Sequence, residues 1–219
     1  MFDFIRGPLL WVAFIVFFGG LVFQLLQFFT LTKKKERLFL PVHGKTKGRW
    51  SIESMRQWFE SLLATIIGTH PMMTILTLIF HCCLFVTPIF LLAHNILLDE
   101  SWGISIWSFS ESTTDILSVV LLVCGVLFLL RRIFVRRVRA ITTVSDYLIL
   151  FITVAPFLSG YMAYHQWFHY KSILFAHILA GEVMLIVAPF TKLGHMLFFF
   201  LYRFLIGSEY SFGQGTRSW

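Results

Sequence analysis

The stretch HILAGEVMLIVAPFTKLGH, His177 to His195, lies in a longer apolar run from Ser172 to Tyr202, broken by Glu182, Lys192 and His195. A hydrocarbon core about 30 Å thick needs roughly 20 residues of helix, so the run reads as a membrane-crossing helix over 172–203. Pro189 is placed to kink it. Its two histidines are eighteen positions apart. At about 100° and 1.5 Å per residue they share one helix face and stand about 27 Å apart.

Outward from this stretch, four further spans are predicted. Gly7 to Thr32 carries no charge and gives a helix over 8–32. Ser61 to Leu98 has no Lys, Arg, Asp or Glu, and Pro71 suits a first helical turn, which places a second span at 71–98 with a bend at Pro88. Ile116 to Leu130 is short, but Arg131 and Arg132 can snorkel and extend it to 115–135. Tyr147 to His169 supplies the fourth span, 147–169. The polar stretch opened by Lys33-Lys34-Lys35 contains Ile52, Met55, Phe59, Leu62, Leu63 and Ile66 at helical spacing after Ser51. This predicts an amphipathic surface helix within a basic loop over 33–68. The expected fold is an all-α integral membrane bundle of about five transmembrane helices, forming a single membrane domain over 1–219.

Composition agrees. The chain is 58% hydrophobic and 13% charged, with a mean hydropathy of +0.80, outside the range of soluble domains. Such a chain needs membrane lipid as its partner. Its net charge of +7 would suit nucleic acid only on a soluble basic face, and here the basic residues sit in loops, so no nucleic-acid partner is expected. Loop 33–60 holds eight of the eighteen Lys and Arg, loop 131–146 holds five, and Lys192, Arg203 and Arg217 fall on the same side. The 99–115 connection has Asp99, Glu100, Glu111 and Asp115 without a basic residue. Positive residues mark the inner side, so the N-terminus is expected outside and the C-terminus inside. Cys82, Cys83 and Cys124 form no C-x-x-C pair and read as inert core residues. The N-terminal apolar run is too long for a signal h-region and reads as a retained span.

Histidines carry the chemistry, because an imidazole in hydrocarbon is costly unless it binds something. His43 falls in the basic loop and reads as solvated. His81, His94, His177 and His195 fall in the second and fifth spans, and four ligands serve two bis-histidine hemes. Measured from the outer helix ends, His94 lies at about 6 Å and His177 at about 8 Å, which pairs them as the outer set. His195 lies at about 34 Å, between His81 at about 26 Å and His70 at about 42 Å. His81 is preferred as the inner partner because His70 precedes Pro71 at the headgroup level, and His70 stays as the alternative. Thirteen residues put His81 and His94 about 140° apart on an ideal helix, so this choice requires the bend at Pro88. The competing reading is four unrelated histidines hydrogen-bonded inside a heme-free scaffold or transporter-type subunit.

His177-Ile-Leu-Ala-Gly181, continuing to Pro189-Phe190-Thr191-Lys192-Leu193-Gly194-His195, resembles the last helix of respiratory nitrate reductase gamma subunits, a di-heme cytochrome b family. The likeness covers nearly the whole chain in layout and about twenty residues in motif. It departs on the second span, where His81 and His94 are spaced more widely than the family's ligands. The wider spacing and small size are similar to the gamma-type subunits of transmembrane redox complexes of sulfate reducers, such as the high-molecular-weight cytochrome c complex. The resemblance implies two heme b groups, menaquinone chemistry and residence in the bacterial inner membrane. It further implies a cytoplasmic iron-sulfur subunit, other membrane subunits and a periplasmic multiheme cytochrome c as partners.

Four further features belong to this reading. Gly181, one turn after His177, would let a porphyrin face approach the backbone, with ordinary small-residue helix packing as the alternative. Arg131, Arg132 and Arg203 sit near the inner surface, where guanidinium groups suit heme propionates, although topology also explains them. Glu182 lies five residues from His177 and about 140° round the helix, a candidate for a quinol proton relay or for contact with a neighbouring subunit. His165 and His169 stand four apart in an aromatic stretch, read as an interfacial belt ahead of a metal or outer quinone site.

Overall fold

The structure, a computed structural model, describes residues 4–36 and 71–195 together with Arg56, Glu60 and Phe198. The described residues are helical, without strands. Helix α1 (Leu10–Glu36) follows a π-helical turn over Ile5–Leu9; α2 spans Pro71–Phe90 and α3 Leu92–Trp102; α4 spans Glu111–Phe134 and is followed by the short α5 (Arg136–Arg139); α6 spans Val144–Tyr164 and α7 Tyr170–Val187. Five segments are long and apolar enough to cross a membrane: 7–30, 71–90, 111–134, 144–164 and 170–190. The molecule is an all-α multi-pass membrane bundle. The amphipathic helix expected within 33–68, His70, Arg203 and the end of the span at 172–203 lie outside the described residues, apart from the residues of α1, Arg56, Glu60 and Phe198.

Neighbours run α2, α4, α6, α7, α1 around the bundle. The apolar core lies between the first three of these, where Phe80, Cys83 and Leu84 meet Leu121, Cys124 and Phe157. Cys83 and Cys124 are thus core residues, while Cys82 is exposed, contrary to expectation. The outward faces carry large apolar side chains, Ile15 at 67% exposed, Met72 at 83% and Phe151 at 69% among them. Such faces need lipid for solvent.

Side-chain caps correct two helix ends. The third span begins at Glu111, not at 115, because Ser110 accepts from the Thr113 amide at 3.3 Å and starts the helix earlier. The fourth begins at Val144 through a capping box, in which Asp146 accepts from the Thr143 amide at 2.8 Å. It ends at Tyr164, not at His169, since the chain turns through left-handed backbone at Gln166 (φ 53°) and Phe168 (φ 80°).

The two histidine-bearing spans are broken, not merely bent. The second is interrupted at Leu91, which is extended at φ −71° and ψ 125°, three residues beyond Pro88. The Phe109 amide donates to the Phe90 carbonyl at 3.0 Å and so satisfies one end of the broken helix. The fifth span is helical only to Val187. Residues Ala188–Phe190 and Lys192–Gly194 form 3-10 turns on either side of an extended Thr191, so the ideal-helix spacing from His177 to His195 does not apply.

Helix α1 docks on this irregular stretch. A Cβ on Gly20 would lie 2.7 Å from Pro189 side-chain atoms, so only glycine permits the approach. One turn on, Gln24 Nε2 donates to the Pro189 carbonyl at 3.0 Å. Gln24→Leu would leave that partly buried carbonyl without its donor, at a cost of about 1 kcal/mol. The expected result is a lower midpoint in a thermal unfolding scan in detergent, with helix content unchanged at low temperature.

Candidate functional site

At the end of the bundle that carries Glu111, Asp115 and His165, α3 presents His94 toward His177 on α7. Their ring centres are 6.0 Å apart and their planes differ by 26°. His94 Nδ1 donates to the Pro88 carbonyl at 2.9 Å. That carbonyl is among the last four of α2, which lack partners within the helix. The break at Leu91 therefore does two things: it rotates His94 out of the ideal helical register and supplies the acceptor that orients its ring. His177 Nδ1 donates to the Pro156 carbonyl of α6 at 2.8 Å. Gly160 makes room for that ring, since a Cβ there would lie 2.9 Å from His177 Cε1 and 3.0 Å from its Nδ1.

At the opposite, basic end, His81 on α2 faces His195 beyond the second 3-10 turn. The ring centres are 5.9 Å apart, with planes at 83°. His81 Nδ1 donates to the Thr77 carbonyl at 2.7 Å, and His195 Nδ1 donates to the Lys192 carbonyl. The structure thus brings together the pairs His94–His177 and His81–His195.

All four rings share one hydrogen-bonding pattern. A carbonyl oxygen only accepts, so each Nδ1 carries the proton and each Nε2 keeps a free lone pair. This is the arrangement by which ligating imidazoles are oriented and made more basic. Two imidazole nitrogens at about 2 Å from one metal ion place their ring centres about 6 Å apart, close to the separation of both pairs. No group of three or more His, Cys, Asp or Glu that could hold a metal occurs among the described residues. Each pair thus offers two imidazole nitrogens at a separation that one metal ion could bridge. The helices α2 and α3, which carry His81 and His94, are not packed along α7, which carries His177, unlike their neighbours.

The other candidates sort differently. Among the described residues, a Cβ on Gly181 would meet nothing within 4 Å, so packing against them does not require that glycine. A cavity of about 510 Å³ at the basic end is lined by Gln24, Arg132, Asp146, Thr191, Lys192 and His195, among others. Arg131 does not line it; the guanidinium beside His195 belongs to Arg132, which donates to the Asp146 carbonyl oxygen. Lys192 Nζ donates to Asp146 Oδ1 at 2.7 Å. His165 and His169 do not converge. His165 Nε2 pairs with Asp115 at 2.9 Å among Tyr161, Tyr164 and Trp167, and His169 Nδ1 meets Ser172 at 3.2 Å. Glu182 is 1% exposed, and neither carboxyl oxygen has a hydrogen-bond partner among the described residues.

Sequence reasoning missed the Pro88 and Pro156 carbonyls and Gly160. The Pro88 carbonyl is available because its helix ends two residues later, at Phe90, a break that the sequence pattern does not show.

A protein of Nitratidesulfovibrio vulgaris, described only as "Protein", is 34% identical to this chain over 216 residues, covering 98% of the chain and 96% of the relative. No family model matches the chain, and no solved structure matches it.

Proposed function

The chain belongs to one family with the Nitratidesulfovibrio vulgaris protein, and from its own residues we propose that it is a di-heme cytochrome b subunit carrying electrons across a bacterial inner membrane. The observation that carries this reading is the matched geometry of the two pairs: ring centres 6.0 and 5.9 Å apart, every Nδ1 held by a backbone carbonyl. His94 and His177 would hold one heme b, and His81 and His195 the other. Heme supplies reversible one-electron exchange, with a potential set by burial and by hydrogen bonds to the ligands.

The chain's own contribution is to fix ligand tautomers and to stack two sites along the membrane normal. Arg132 and Lys192, at the cavity beside His195, provide cations where heme propionates would emerge. The basic end is taken as cytoplasmic by the positive-inside rule. On this reading electrons pass between a menaquinone pool or periplasmic multiheme cytochrome c and a cytoplasmic iron-sulfur subunit, with other membrane subunits alongside.

The ring planes supply a specific test. Nearly parallel imidazoles lift the degeneracy of the two iron d orbitals with which they overlap, whereas perpendicular ones leave it nearly intact. With planes at 26° in one pair and 83° in the other, the oxidised protein should give two distinct low-spin ferric electron paramagnetic resonance signals. One should be ordinarily rhombic and the other highly anisotropic. A protein purified from heme-replete cells that shows neither signal and no b-type absorption would favour the scaffold reading.

A further inference from the structure

Glu182 is the buried group that ligand geometry leaves unused. Its side chain is 1% exposed, and both oxygens lack a partner among the described residues. α7 packs on α6 and on α1, and the turn that follows it sets Pro189 against Gly20 of α1. On α7, Glu182 stands about 140° round the helix from His177. On α1, the residue seven before Gly20 is Ala13, which is 0% exposed.

Among the described residues, no side chain pairs with the carboxyl. Gly7 to Thr32 has no ionisable side chain, and α6 has none between Tyr147 and Tyr161. The turn at Ile5–Leu9, also packed on α7, includes Arg6. On its own segment the nearest ionisable residues are His177, five before, and Lys192, ten after. Lys192 is engaged with Asp146.

An ionised carboxylate in such a seam is unstable unless a positive charge is close, and a neutral acid is tolerated at lower cost. An oxidised bis-imidazole iron centre held by His177, five residues away on the same helix, would carry a net positive charge that favours the carboxylate through a low-dielectric interior, and reduction would cancel it. Resting on the reading above, we propose that Glu182 is a redox-linked proton site: it binds one proton when the centre held by His94 and His177 gains an electron and releases it when that electron leaves. The step balances as one electron from a one-electron reductant and one proton from water, with the carboxylate becoming a carboxylic acid and the metal ligands unchanged.

The test is a spectroelectrochemical titration of the purified full-length protein at several pH values, combined with redox-difference infrared spectroscopy. Wild type should show one heme whose midpoint falls as pH rises over part of the range from about pH 5 to 9. It should also show a protonated-carboxyl C=O band that grows on reduction. Glu182→Gln should keep both hemes and both paramagnetic signals, flatten the pH dependence and lose the band, while Glu182→Asp should retain both in shifted form. Midpoints independent of pH in wild type, or a pH dependence unchanged in Glu182→Gln, overturn the proposal and leave the heme assignment standing. If Glu182→Gln does not assemble, wild type and Glu182→Asp decide: a difference band absent from both overturns it. A protein without b heme removes both readings.

Discussion

Replacing His177 with alanine should halve the heme content of the purified protein and remove the ordinarily rhombic ferric signal, leaving the highly anisotropic one. On the proposed reading the imidazole is one of two protein ligands at its site, and among the described residues no group of three or more His, Cys, Asp or Glu could hold a metal in its place. His94, whose ring centre lies 6.0 Å from that of His177, would then be left without its partner. The basic-end pair shares no residue with it and should keep its heme. Membrane insertion should be untouched, because the alanine variant keeps the apolar span over 170–190. A spectrum identical to wild type would show that His177 is not a ligand.

Gly160→Val should reach the same site without touching a ligand. A Cβ at that position falls 2.9 Å from His177 Cε1 and 3.0 Å from its Nδ1, so either the ring swings or α6 and α7 move apart. Swinging breaks the 2.8 Å bond to the Pro156 carbonyl and releases the tautomer that keeps Nε2 free. Overpacking of this kind costs about 1 to 3 kcal/mol, and loss of an orienting partner lowers metal affinity by roughly 10- to 100-fold. The expected outcome is a protein that inserts, retains the basic-end heme and loses most of the other on detergent purification. Gly160→Ala should show a weaker form of the same loss. Equal loss at both sites would point to general unfolding of the bundle.

Much of the fold was legible because hydrophobic length is a one-dimensional signal. The first span within Gly7–Thr32 and the start of the second at Pro71 could be read directly from uncharged runs, whereas the break after Phe90 could not. The boundaries that failed were governed by single side chains: Ser110 and Thr143 as caps, and the left-handed turn at Gln166 and Phe168. The histidine pairing was also legible, since depth from the helix ends matched His94 to His177. For His195 depth left two partners open; the structure sets it against His81, while His70 lies outside the described residues.

The reason His81 and His94 can both face α7 was less visible. A bend at Pro88 was needed, but the chain yields at Leu91, where backbone pairing with Phe109 ends one helix and lets another begin. That contact is long-range, and helical phase alone carries no trace of it. The same holds for the cation beside His195. Arg131 and Arg132 are adjacent in sequence, and only the packing of α4 against α6 sets Arg132 beside Asp146.

Heme content of the purified full-length chain, by pyridine hemochrome against a protein assay, tests the central claim most directly. Two b-type hemes per chain is the predicted result. A chain purified intact from heme-replete cells with no b heme would contradict it.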